Sequence, residues 1–258
     1  MNANFKPFYL PCLIVLISGA AGAVLFSHSV LLGRLVSQMH MDAQVYIYAA
    51  TQMLHGKILY RDLFDHKGPV MYLFECLGIW LSPNNYSGIW FVQWFAFVAG
   101  ISPLFITWAK KYGASRSGIA LLLMIAWIYR TKTIGDNLPE IFALGLISFF
   151  IFLNLKLQQG PQHTALYSLL AGVSTMSLFL LKPNFVILVL PGMCYVCYLF
   201  YRKKELARLL GFYFAGLCAT LLPFVTYFSI HHALDEAVFA CWTFNFSYIS
   251  NQQLTIAE

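Results

Sequence analysis

The chain has 258 residues, 60% of them hydrophobic and only 10% charged, with mean hydropathy +0.69 and net charge +6. So little charge excludes a soluble domain of this length, and several apolar runs reach the roughly 20 residues needed to cross a hydrocarbon core of about 30 Å. The basic residues cluster beside those runs, so membrane topology and lipid phosphates account for the positive charge, and nucleic acid is not expected as a partner.

In chain order, Lys6 precedes a first apolar run over about 8–32. It ends in small residues like a secretory signal, but it is longer than such a signal's apolar core and further spans follow. An uncleaved first span is expected. The segment 33–69 then forms a first loop. Within it Ala43, Tyr46, Ile47, Ala50, Met53 and Leu54 follow helical spacing, with Gln44, Tyr48, Thr51, Gln52 and His55 on the opposite face and Gly56 as the stop. That pattern predicts an amphipathic helix lying flat at the membrane surface. The run "PVMYLFECLGIWL" over 69–81 is too short to span and carries Glu75, so it is expected to lie in the interface or to re-enter. Further spans are expected at about 88–109, 116–130, 138–155, 164–181, 183–201 and 207–230.

The expected fold class is therefore all-α: a polytopic membrane protein of about seven transmembrane helices, with amphipathic juxtamembrane helices in the first outer loop. The whole of 1–258 reads as a single membrane-embedded module. Lys6, Lys110, Lys111, Arg116, Lys156, Arg202, Lys203, Lys204 and Arg208 share one side if 69–81 does not span. The tendency of basic loops to stay inside makes that side cytoplasmic, with the N-terminus. The loop 33–69, the segment 130–138, the corner at Lys182-Pro183 and the segment from 231 onward then face outward. A basic excess remains on that face (Arg34, Lys57, Arg61, Lys67, Arg130, Lys132), which suits an anionic ligand there.

The first loop holds the densest chemistry, "RDLFDHK", with Arg61, Asp62, Asp65, His66 and Lys67 ahead of Gly68-Pro69. For Asp62 a solvated ion pair is the expected role. Asp42 reads as a helix N-cap or as a functional acid. "GDNLPE" offers Asp136 and Glu140. Asn137 and Glu140 also have capping-box spacing, with Pro139 in the first turn, so starting the next helix is the competing role. Lys182 sits in a nearly continuous apolar stretch, where a charge needs a partner or a function. The Cys194/Cys197 pair lies mid-span without a second pair or a histidine and reads as packing. His231-His232 beside Asp235-Glu236 reads as a solvated loop. No G-x-S-x-G, H-E-x-x-H or Gly-rich phosphate loop is present.

Asp42, Tyr46 or Tyr48, Ala50, Gly56, Tyr60, Asp62, Lys67, Pro69 and Tyr72 together resemble the first outer loop of C-type (GT-C) membrane glycosyltransferases. The likeness is to the branch holding protein mannosyltransferases and bacterial aminoarabinose and lipopolysaccharide-core transferases. It covers roughly residues 1–230. Asp42-Ala43 replaces that branch's common acidic pair. The resemblance implies transfer of a sugar from a polyprenyl-phosphate donor to an acceptor glycan, lipid or protein at the extracytoplasmic face of the cell membrane. It implies Asp42 as the catalytic acid's counterpart and Lys67 as the lysine near the donor phosphate. Relatives continue through further spans and often an outer domain, so a minimal, truncated or split form is expected.

The chemistry needs carboxylates to take the acceptor proton and cations to neutralise the leaving phosphate. The candidate acids are Asp42, Asp136 and Glu140. The candidate substrate- and phosphate-binding residues are Lys67, Asp65, His66, Arg61, Lys182 and Arg130. The sequence assigns no cofactor, and a divalent metal stays open. Two other classes stay open as well: a transporter or flippase for lipid-linked or anionic substrates, and a non-catalytic membrane subunit.

Overall fold

The structure is a computed structural model that describes residues 9–26, 31, 41–130, 137–159, 163–245 and 247. Among the described residues the fold is all-helical, with one isolated bridge between Leu59 and Leu63 and no strand. The helices are α1 (Tyr9–Phe26), α2 (Met41–Leu54), α3 (Pro69–Leu81), α4 (Ser87–Tyr112) and α5 (Ala114–Arg130). After these come α6 (Pro139–Gln159), α7 (Thr164–Leu181), α8 (Leu190–Arg202), α9 (Leu206–Ile230) and the short α10 (Leu234–Val238).

Four of them, α4, α6, α7 and α9, are long and apolar enough to cross a membrane. Of the other three expected spans, α1 has 18 residues, as many as α7, while α5 with 17 and α8 with 13 are shorter. The run expected to be one span over 183–201 is divided. Pro183 opens a 3-10 turn, Pro183–Leu188, and α8 starts only at Leu190, with Pro191 in its first turn. Proline fixes φ and lacks an N–H, so each Pro starts a new segment and cannot extend the one before it. What remains of α8 is about 20 Å long.

The four long helices pack side by side in chain order: α4 on α6, α6 on α7, and α7 most extensively on α9. The α7–α9 contact is a close backbone approach. A Cβ on Gly172 would stand 2.0 Å from the Tyr213 carbonyl, and one on Gly216 would stand 2.0 Å from that of Leu169. Tyr213 Oη closes the same seam by donating to Thr175 Oγ1 at 3.0 Å. Small residues facing each other are how helices associate in lipid, where apolar burial gives no drive. Only 11% of the apolar window of α9 is buried, so most of that helix faces outward.

The apolar face of α2 is buried at Ala43, Tyr46, Ile47 and Ala50. It is covered by protein: Tyr46 meets Tyr72 of α3 edge-on at 6.1 Å, and Cys76 Sγ donates to the Ala50 carbonyl at 3.6 Å. Leu54 departs from the pattern, at 47% exposure. Helix α3 in turn packs on α4 and α7. The bundle thus has two unlike ends. Lys110 and Lys111, Lys156 and Arg202 occupy the last turns of α4, α6 and α8 at one end. At the other end the loop after α2, the start of α6, the corner after α7 and the turn after α9 converge.

Candidate functional site

The loop from His55 to Gly68 is fixed by its own side chains. Tyr60 takes a left-handed conformation, φ 69°, and its hydroxyl donates to the Lys67 carbonyl at 2.7 Å. Asp62 Oδ2 accepts from the Ile58 N–H at 2.8 Å, and Arg61 grips both carboxylate oxygens, at 3.0 and 3.2 Å. The Arg61 guanidinium beside it and the Ile58 N–H hold the Asp62 carboxyl down at about 2. Arg61 also donates to the His231 carbonyl at 2.9 Å, tying the loop to the turn after α9. Arg61 is therefore engaged in closing the loop. Its pairing with Asp62 is the local ion pair expected from sequence.

Asp65 is buried. Oδ1 accepts from the His66 N–H at 2.5 Å and the Lys67 N–H at 3.3 Å, and Oδ2 accepts from Tyr72 Oη at 2.5 Å. Burial opposes its charge, but the hydrogen bonds from His66 and Tyr72 prevail and leave its pKa below the ordinary range. His66 Nδ1 lies 3.3 Å from Asp65 Oδ1, and Lys67 Nζ stands 2.6 Å from His66 Nε2. A neutral ring with its proton on Nδ1 satisfies both contacts, donating to Asp65 and accepting from Lys67. The Asp65–His66–Lys67 row is thus a hydrogen-bonded relay that aims the ammonium.

Gly68 carries the loop against the end of α7. Its N–H donates to the Leu181 carbonyl at 3.2 Å, and a Cβ there would lie 1.9 Å from the Leu180 oxygen. No side chain fits, so only glycine lets the loop approach α7 this closely. That approach brings Lys67 near Lys182. Lys182 Nζ donates to Glu140 Oε1 at 2.9 Å and stands 5.4 Å over the Phe185 ring. The partner expected for Lys182 is therefore Glu140.

These groups form one cluster. Burial pulls the Lys67 ammonium below the ordinary lysine range, and Lys182 pulls the same way, while Asp65, Asp42 and Glu140 act against them. The Tyr46 phenol is held above its ordinary range by burial, then by the charges of Asp42, Asp65 and Glu140. Asp42 stands in the first turn of α2, exposed at the rim. The cluster therefore gathers three acids and two amines from α2, the loop, α6 and the α7 corner. A groove of about 460 Å³ opens beside it, lined by Lys182, Pro183, Asn184, Ile187, Trp242 and Asn245 among others.

The capping-box role of Asn137 and Glu140 is not what the structure shows. Asn137 is buried and left-handed, φ 55°. Its amide donates to Glu75 Oε2 at 3.1 Å, and its oxygen accepts from Gln93 Nε2. Glu140 reaches across to Lys182, so neither side chain caps α6. Glu75 and Gln93 were not candidate site residues. The one sequence signal for them is a carboxylate and an amide placed inside apolar helices. Asp136 lies outside the described residues, as does the Arg130 side chain. Among the described residues no three His, Cys, Asp or Glu side chains converge to hold a metal ion.

Comparison with protein-family models, with curated proteins and with solved structures finds no match to this chain.

Proposed function

We propose that the chain is a membrane-embedded glycosyltransferase of about seven spans. In this reading it works at the outer face on a polyprenyl-phosphate sugar, with its N-terminus cytoplasmic. The observation that carries the reading is the clustering of Asp42, Asp65 and Glu140 with Lys67 and Lys182 at one end of a helical bundle. The opposite, lysine-rich end suits the cytoplasmic side. The groove that runs from Lys182 past Ile187 and Trp242 gives an apolar tail a place beside a cationic headgroup site.

The chemistry follows from these groups. The acceptor hydroxyl attacks the anomeric carbon and its proton passes to the Asp42 carboxylate. The anomeric carbon–oxygen bond to phosphate breaks, and its electron pair leaves with the polyprenyl phosphate. Lys67 and Lys182 neutralise that anion. Lys67 suits this task because partial burial makes its charge most favourable when an anion arrives. Asp65 and His66 keep it in place, and Glu140 sets Lys182.

The test is sugar transfer from radiolabelled polyprenyl-phosphate sugars in membranes, with wild type, Asp42→Asn and Lys67→Ala at matched expression. Loss of at least about 100-fold in both variants is the expected result. Transfer that survives Asp42→Asn removes the proposed base. Absence of transfer by wild type with every donor tried rejects the reading.

A further inference from the structure

Glu75 lies at the centre of α3 and is fully buried at 0% exposure. Oε2 accepts from Asn137, while Oε1 has no hydrogen-bond partner among the described residues. Asn137 is the polar group acting on Glu75. No cation is paired with it among the described residues. An ionised carboxylate in that place would have one amide hydrogen bond and no cation against the loss of its hydration, so the carboxyl holds its proton.

The same short helix carries two anchors a turn apart. Tyr72 donates to Asp65 and so pins the loop that bears Lys67. Glu75 accepts from Asn137, two residues ahead of the start of α6 at Pro139 and three positions ahead of Glu140. Gln93 on α4 grips Asn137 from its other side. The left-handed backbone of Asn137 is unfavourable unless its surroundings over-determine it, and the two side-chain bonds do so. Helix α3 is then the common frame for both halves of the cluster.

We propose that Glu75 is a positioning residue: a neutral carboxylic acid which, with Gln93, clamps Asn137 and thereby sets Glu140 opposite Lys182. The proposal stands on this geometry alone and needs no sugar donor, so its test is separate from that of the transferase activity. Its one requirement is that the α6 start be held at this angle to α3. A neutral amide at position 75 offers Asn137 the same acceptor, so Glu75→Gln preserves the clamp. Leucine at that position removes it.

The experiment uses the full chain purified in lipid nanodiscs. The reactivity of Lys182 toward an amine-acetylating reagent is read by mass spectrometry, with Lys203 and Lys204 as internal references. Glu140→Gln is the positive control. Glu75→Leu and Asn137→Ala are expected to raise Lys182 reactivity about fivefold, the equivalent of one lost hydrogen bond, and Glu75→Gln to leave it as in wild type. Infrared difference spectra of wild type against Glu75→Gln are expected to show a protonated-carboxyl band at about pH 6, below the folded pKa. Unchanged Lys182 reactivity in both Glu75→Leu and Asn137→Ala overturns the proposal. So does a Glu75→Gln variant as reactive as Glu75→Leu, or the absence of the protonated band. Asn137→Ala leaves α3 intact and keeps the test decisive should Glu75→Leu not fold.

Discussion

Two carboxyl groups on either side of Tyr72 respond to pH in opposite directions. Burial raises Glu75 from 4.5 to about 8, so the native state keeps a proton that the unfolded chain has released. Its contribution to stability is complete below its unfolded pKa and is lost as pH rises through the folded one. Asp65 is shifted downward, so its contribution is present at neutral pH and is lost as pH falls. The thermal stability of wild type relative to Glu75→Gln is expected to decline between about pH 5 and about pH 8. A constant difference over that range would mean that Glu75 does not titrate there. Tyr72→Phe removes the donor to Asp65 and is expected to cost about 1.5–3 kcal/mol, because the bond is to a charged acceptor. It should also move the Asp65 titration upward, measurable as a shift in the acid limb of unfolding. The sequence shows Asp65 as a charge in a polar run and gives no sign of its burial. What buries it is the fold-back onto Tyr72, seven residues on.

At the scale of single elements, the joint between the loop and α7 is the tightest. Gly68→Ala drives a methyl into the Leu180 carbonyl, and its cost is expected at about 1–3 kcal/mol, the range for overpacking. A larger share of the damage should fall on the site, since the displaced backbone carries Lys67. Reactivity of Lys67 toward the same acetylating reagent, read beside the melting temperature, separates the two effects. Much at this scale was legible beforehand. The spacing of Ala43, Tyr46, Ile47 and Ala50 marks the face of α2 that is in fact buried. Gly68-Pro69 marks the start of α3, because proline suits the first turn of a helix. What escaped was tertiary. The Glu75–Asn137 bond joins residues 62 apart, and no local pattern encodes such a pairing. The interruption at Pro183–Leu188 was hidden by hydropathy, which averages over the residues where backbone geometry changes.

For the whole molecule, the separation of the site cluster at one end from Lys110, Lys111, Lys156 and Arg202 at the other is the property with the most direct test. Residues 57 and 203 lie at opposite ends, in the loop after α2 and just past α8. In a background lacking the native cysteines, Lys57→Cys is expected to react with a membrane-impermeant maleimide in intact cells. Lys203→Cys is expected to react only after permeabilisation. The reverse pattern would invert the proposed orientation, and labelling of both in intact cells would break the proposed span count. Charge counting grouped the basic residues at 110, 111, 156 and 202, and they fall in the last turns of α4, α6 and α8, at helix ends that sequence hydropathy already locates. It could not foresee that Arg61 would also be tied to the chain at His231, which removes one cation from the inventory of the site.

The bonds from Arg61 to the His231 carbonyl and from Asn245 to the His66 carbonyl have a consequence for how the protein is made. They join residues 170 and 179 positions apart. At roughly 5–20 residues per second, a ribosome that has finished the loop needs about 10–35 s more to supply its last partners. For that interval the loop has left the ribosome without its closing contacts, while the spans behind it are still being inserted. The nascent protein thus completes this charged corner only once residues 231 and 245 have been made, although Arg61 and His66 lie far ahead of them in the chain.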